Sequence, residues 1–457
     1  MTAGPQEANV HDRRWRRAIV TGAALAAAWV LGQLRIPGWD AAVVYDPGAL
    51  ALGLAPIISG FVLVELAALA VPAWDALRHA GPAARAKLAV AAHAVAAALA
   101  VVQAYGVARY ATDVGALPDA AAPRAAAIAT LAVGPFLLAA LARWVDGRGL
   151  TNGLALIVAG TAGVELVGGF SGALSVPEAP DATALLIPAV GVGVAVSLFG
   201  RALRRPVPPP GAAAPAIPMP ACGIAPLAVP AAALLLPATL AVWFPGLARV
   251  GDVLRPGANV YHAAEAVLAL ALVPLLGILF NRSGAVARAW DALPAVPAGA
   301  DLVAFARLAR RRAIVRSALL VGAALAIAHV VRVNATVPFI GQRAVVAAIV
   351  VLAVALDVAR EWRARRAGAF GAIWPLHRAL EAEPVVARLA AAGIPAFVRG
   401  PAFRALYQFF APYAPVVVFV PPEQAEAASA ILRRAFAAEP ARAAGRGDQM
   451  GGRARSP

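Results

Sequence analysis

Residues 52–67 read LGLAPIISGFVLVELA. A glycine and a proline lead into this apolar run, Ser59 and Gly60 interrupt it, and Glu65 falls where a bilayer is expected. A segment that only fills hydrocarbon has no use for such residues. Proline removes a backbone donor, and an unsatisfied backbone group in hydrocarbon costs several kcal/mol, so irregular backbone at that depth faces protein or a water-filled path. The stretch is therefore expected to form the wall of a conduit.

Composition agrees with that reading. Of 457 residues, 61% are hydrophobic and 14% charged, and the mean hydropathy is +0.75. This balance belongs to multi-span membrane proteins. Cys222 is the single cysteine, which excludes an internal disulfide and a thiolate-rich metal centre. The formal charge of +16 is almost wholly arginine, with Lys87 the lone lysine, and it sits beside apolar runs. That placement points to membrane orientation and anionic lipid headgroups rather than to nucleic acid. HDRRWRR at 11–17 leads into the first apolar run with no processing site, so the first span is expected to be retained.

Ten runs are long enough to cross a bilayer: 18–34, 49–71, 88–108, 125–142, 153–170, 183–199, 222–244, 263–280, 313–331 and 337–359. Arg13, Arg14, Arg16 and Arg17 precede the first; Arg78, Arg85 and Lys87 follow the second; Arg143 and Arg148 follow the fourth. Arg201, Arg204 and Arg205 follow the sixth, Arg307, Arg310, Arg311, Arg312 and Arg316 lie about the start of the ninth, and Arg360, Arg363, Arg365 and Arg366 follow the tenth. Intervening loops such as 171–181 carry no basic residue. The alternation places both termini in the cytoplasm and leaves room for two five-span halves in an inverted repeat.

Six short stretches resemble, in order, the SecY family of protein-conducting channels: IPGWD at 36–40, LGLAPIISG at 52–60 with the Pro72, Gly81, Arg85 and Lys87 that follow, RGLTNG at 148–153, LLLPATLAVWF at 234–244, LFN at 279–281 and VPFIG at 337–341. The resemblance implies two halves around an hourglass pore, opening across the membrane for secreted chains and sideways, between spans two and seven, for membrane segments. It places Leu54 and Ile58 of span two, Val158 and Ala162 of span five and Ala228 of span seven in an apolar ring that seals around the moving chain. Apolar collars resist wetting and hold back ions while yielding to a peptide. Arg85, Lys87, Arg201, Arg204, Arg205, Arg307, Arg310, Arg311 and Arg312 become the loops that meet cytosolic partners. Those partners are implied to be SecE-like and SecG-like small subunits and a SecA motor ATPase or a ribosome, with unfolded preproteins as cargo, in the cytoplasmic (inner) membrane among its lipids. The resemblance implies neither a cofactor nor an enzyme.

The departures matter as well. LPAVPAGAD at 293–301 stands where the family has a signature whose arginine serves the motor or ribosome, and the loop after span six becomes a proline-rich linker over 206–220. Two of the ring positions are alanines. A diverged paralogue that recruits or regulates without translocating, or a secondary transporter, therefore stays open beside the translocase.

Single residues divide into sharper and blander readings. Glu65 is a gate or pore contact, or a residue that snorkels or is buried neutral. Glu165 and Glu265 lie near span ends and read as interfacial. His93, His262 and His329 lack a helical partner at ligand spacing and read as packing residues. Asp357 with Arg360 and Arg363 reads as a solvated helix end. No nucleophile, base and orienter constellation and no phosphate-binding glycine loop appears.

The chain divides into a cytosolic segment 1–17, the channel-like domain 18–366, a small soluble module 372–436 and a tail 437–457 expected to be disordered. In the module AIWPL, PAFVRG and PVVVFVP read as strands and 381–392 and 423–436 as helices, a β-α-β-β-α order that gives a ferredoxin-like half. EAEPVVARLAAAGIPAFVRG resembles a small bacterial domain family assigned to signal transduction.

Overall fold

The computed structural model describes residues 5–44, 46–79, 82–174, 182–204, 217–241, 244–255, 258–283, 286–287, 290, 301–334, 342–376, 378–410 and 414–436. Arg205, most of the proline-rich linker, 291–300, VPFIG at 337–341 and the tail lie outside the described residues.

A helix overlies each of the ten apolar runs. They are α1 (Pro5–Gly32), α2 (Ala55–Ala70), α4 (Pro82–Asp113), α5 (Ala121–Arg148), α6 (Gly153–Leu174), α7 (Ala182–Arg204), α8 (Ala225–Leu240), α10 (Asn259–Phe280), α11 (Leu302–Asn334) and α12 (Gln342–Ala367), with α3 (Pro72–His79) and α9 (Ala248–Val253) as short additions. Among the described residues five stretches are long and apolar enough to cross a membrane alone: 84–113, 121–148, 186–204, 259–280 and 302–333. Their outer faces carry apolar side chains such as Val90 and Leu319, each 70% exposed. Such surfaces mark contact with lipid or with a partner protein.

The stretch 52–67 is irregular at its start and helical from Ala55. Pro56 does not break α2 but sits in its first turn, where the missing N–H removes no helical bond. The irregular backbone lies ahead of the helix, as turns over 49–54, and it faces protein. The Ala49 amide donates to the Leu34 carbonyl at 2.7 Å, and the Ala49 carbonyl fills the space a side chain at Gly134 of α5 would need. Sixteen helical residues reach about 24 Å, short of a core about 30 Å thick. Gly60 is the other requirement, since a Cβ there would lie 2.7 Å from the Ala92 carbonyl of α4. It lets α2 and α4 pack backbone to backbone.

α8 repeats the design. Cys222-Gly223-Ile224-Ala225-Pro226 matches Leu52-Gly53-Leu54-Ala55-Pro56, Gly53 and Gly223 both have positive φ (+52° and +67°), and each proline opens a sixteen-residue helix. The packing repeats too. In the first half α1 packs on α5 and α6, α2 on α4, α4 on α5, and α5 on α6; in the second α7 packs on α11 and α12, α8 on α10, α10 on α11, and α11 on α12. The halves meet along α6 and α12.

The arginines expected in the loop before the ninth span lie on α11 instead. Residues 302–316 hold only Ala, Leu, Val, Ile, Phe and Arg, with no Gly or Pro to stop a helix. α11 therefore runs 33 residues, and its first turns bury Ala306, Ala309 and Ala313 against Ile217, Met219 and Trp290.

Beyond α12 come β1 (Gly371–Leu376), α13 (Ala382–Ala391), β2 (Phe397–Arg399), α14 (Pro401–Leu406), β3 (Val416–Val420) and a helix α15 over 425–436. The sheet order is β1-β3-β2 and both pairings are antiparallel, with Trp374 and Val398 both opposite Val418. Leu376, Val385, Leu389, Val416, Val418, Ala428 and Leu432 form a core of their own.

Candidate functional site: an apolar cluster and the segment seated in it

Leu54 and Ile58 from α2 and Val158 and Ala162 from α6 belong to one apolar cluster with Val345 and Ile349 of α12. Leu54 and Val158 are buried, Ile58 and Ala162 half-buried, while Ala228 on α8 is exposed beside the buried Leu227.

The same cluster takes in a segment that sequence reasoning passed over as a strand connection. Gly400, with φ +78°, turns the chain out of β2, and Pro401 opens α14. Helix starts leave amides without partners. Here the amides of Ala402 and Phe403 donate to the two carboxylate oxygens of Asp357 on α12, at 3.0 and 2.8 Å. Asp357 is thus not a solvated helix end but a buried cap, 2% exposed, for a helix elsewhere in the chain. Phe403 and Leu406, each 1% exposed, and Phe409 enter the main core, and residues 408–410 pack on α2. At the start of α8 the Ile224 amide donates to the Leu406 carbonyl at 2.8 Å, and the Gln408 side-chain amide donates to the Pro220 and Ala221 carbonyls at 3.3 Å. Phe409 meets Phe280 at the end of α10 edge-on, with centroids 4.6 Å apart. Asn281, from the LFN stretch, fixes this wall by donating to the Ala221 carbonyl at 2.8 Å.

An ion-pair node anchors the segment at its base. Glu361, near the end of α12, accepts from Arg399 at 2.8 and 2.5 Å, from Arg365 at 2.6 Å and from the Thr151 amide at 2.8 Å. Arg399 also donates to the Asp146 carbonyl at 2.8 Å. Thr151 sits in the RGLTNG turn with φ +56°, uncommon for a β-branched residue, and that conformation delivers its amide to Glu361. In the same turn the Asn152 side chain caps α6 by accepting from the Ala155 amide at 3.0 Å.

Glu65 is buried and paired with Arg78 of α3 at 2.8 Å, so it does not snorkel. Arg404 of α14 lies within its field. Burial pulls the Arg404 guanidinium down to about 10, against the upward pull of Glu65 and Glu381, so it stays charged at neutral pH. Burial and then the Glu165 charge push the Tyr407 phenol above its ordinary value. Glu265 is buried, 3.5 Å from His262, while Glu165 is exposed. Of the expected partner residues, Lys87, Arg201, Arg204, Arg307, Arg311 and Arg312 are exposed and Arg85 and Arg310 half-buried, on helices rather than loops.

Asp357→Asn is expected to weaken the seating of α14, since charge-assisted bonds to two amides are each worth about 1.5–3 kcal/mol in net terms. Faster hydrogen exchange at Ala402 and Phe403, with the β3 amides unchanged, is the expected result. Unchanged exchange would mean that the cap does not hold the segment.

A family model described as SecY matches residues 49–282. No curated protein sequence matches the chain. A solved structure of the SecY protein, described by a plug domain that stabilises the closed state of the translocation channel, is 14% identical with a TM-score of 0.51, covering 77% of this chain and 92% of that one. Another, described as a protein-conducting channel, is 15% identical with a TM-score of 0.50, covering 77% and 93%. At these identities the likeness speaks to fold alone. The module from 371 onward lies beyond the family match.

Proposed function

This chain belongs to the SecY family, and from that premise we propose that it is a divergent channel subunit that passes unfolded polypeptide across or into the cytoplasmic membrane. The observation that carries the reading is the single apolar cluster joining Leu54, Ile58, Val158 and Ala162. Such a neck excludes ions by resisting wetting and binds no chain tightly enough to stop it. In this reading all ten helices cross, the two halves form an inverted repeat, both termini are cytoplasmic and the module is a ferredoxin-like half. The inverted repeat draws support from one comparison: the seated segment meets the start of α8 and the buried Glu65 end of α2, so corresponding helices run oppositely at one end of the bundle. SecE-like and SecG-like subunits and a motor ATPase or ribosome would complete the machine, docking on the exposed arginines of α7 and α11.

A second reading is favoured by the segment seated between α2 and α8: a paralogue that recruits or regulates and passes no chain. Expressing the protein during depletion of the host's own translocase separates the two. Restored export is expected, and failure at normal expression would favour the paralogue. A secondary transporter loses its one hint, because Glu65 is engaged by Arg78.

The ring assignment has its own test. Ala162→Ile restores bulk at the neck and is expected to lower the ion leak of the reconstituted channel, measured as conductance. An unchanged leak would remove Ala162 from the ring.

A further inference from the structure

Residues 400–410 are more than a connection between β2 and β3. Between Arg399 and Val416 the chain spends sixteen residues, GPAFRALYQFFAPYAP, rich in aromatic and apolar side chains where an exposed turn would be polar. They touch both halves of the bundle: α2 in the first, and α8, α10 and α12 in the second. Their side chains are divided from the rest of their own module. Phe403, Leu406 and Phe409 belong to the core that contains the neck residues, whereas Leu376, Leu389, Val418 and Leu432 form a separate core behind them. The module can therefore withdraw without unfolding. Besides the burial of these apolar side chains, local polar contacts hold it: the Asp357 cap, the Glu361 node with Arg399, and the main-chain bond from Ile224 to Leu406. Each of these groups can be rehydrated on release.

We propose, resting on the conduit reading above, that residues 400–410 are a stopper held in cis, which shuts the channel in the resting protein and leaves with the C-terminal module before a chain can pass. The stopper and a passing polypeptide exclude one another, because Phe403, Leu406 and Phe409 occupy apolar space between α2 of one half and α8, α10 and α12 of the other. Gly223 shows how closely the seat is cut. A side chain there would strike the Leu406 carbonyl oxygen, so the start of α8 is open enough for the stopper only because it has no Cβ.

The test uses the full chain reconstituted in vesicles, in a Cys222→Ser background so that introduced thiols are unique. In one variant residues 401–410 are replaced by a Gly/Ser linker of equal length. In the other Phe280→Cys and Phe409→Cys are bridged by a reducible bis-thiol reagent, and the wild-type sequence is the reference. Ion conductance and transit of an unfolded chain are recorded, with the thermal melt as the check on folding. The linker variant is expected to conduct at least about tenfold more than wild type, the shift of a closed population toward open. The bridged protein is expected to block transit until reductant restores it. Transit through the bridged protein, or equal conductance of linker variant and wild type while both pass chain, would overturn the stopper alone. Silence in every variant would overturn the conduit reading and the stopper with it.

Discussion

Replacing Glu361 by glutamine is expected to lower the fraction of molecules with residues 399–410 seated by two orders of magnitude or more. Glu361 is 1% exposed and receives both Arg399 and Arg365. Glutamine keeps the shape but removes the one carboxylate that both buried guanidinium groups bond. Removing one partner from a buried pair costs about 3–5 kcal/mol, far more than the pair is worth against an apolar replacement of both. The strain need not unfold the bundle, because undocking the module carries Arg399 into water and relieves half of it. Limited proteolysis between 400 and 410 is the measurement. Rapid cleavage in Glu361→Gln, partly reversed by adding Arg399→Gln, is expected, since residues in one network are not additive. Equal resistance in wild type and variant would show that the node does not hold the module.

A larger loss of folding is expected from Gly153→Ala. Gly153 begins α6 at the close of the RGLTNG turn, its amide donates to the Asp146 carboxylate at 2.6 Å, and a Cβ would coincide with the Ala142 carbonyl of α5. That neighbour is helix backbone and cannot step aside as a flexible side chain can. Overpacking of this kind costs about 1–3 kcal/mol where neighbours yield and more where they cannot. The two helix ends must part, taking Thr151 away from Glu361. Gly163→Ala on the same helix is the control, since its Cβ would meet only the Val351 side chain at 4.0 Å. It is expected to be neutral or to stabilise by about 0.5–1 kcal/mol through helix propensity. Melting in detergent distinguishes them, and a Gly153→Ala protein with the wild-type midpoint would refute the close approach.

The apolar runs were legible because hydrocarbon demands that a segment satisfy its own backbone, and a helix overlies each run, five of them long and apolar enough to cross a membrane among the described residues. Short stretches such as LGLAP and LFN were legible for a different reason. Left-handed Gly53, first-turn Pro56 and the donor amide of Asn281 each answer a backbone need that few residues can meet. Two features stayed hidden. Asp357 looked solvated because its neighbours in sequence are arginines, whereas its partners are amides 45 and 46 residues away. The segment at 401–410 looked like a loop because its strands bracket it, and its seat belongs to another domain. The signal was present in Phe403, Leu406, Phe409 and Phe410, too greasy for a turn that faces water. The repeat of LGLAP in CGIAP was also on the surface of the sequence. Its meaning needed the paired packing of the two halves.

On the proposed reading, polypeptide passes the neck formed by α2 and α6. Photo-crosslinking residues placed singly at Ile58, Val158 and Val90, in the variant lacking residues 401–410, address it with a chain stalled in transit. Adducts to the stalled chain are expected from positions 58 and 158 and none from the outward-facing position 90. A chain that crosses the membrane yet labels neither 58 nor 158 would contradict it.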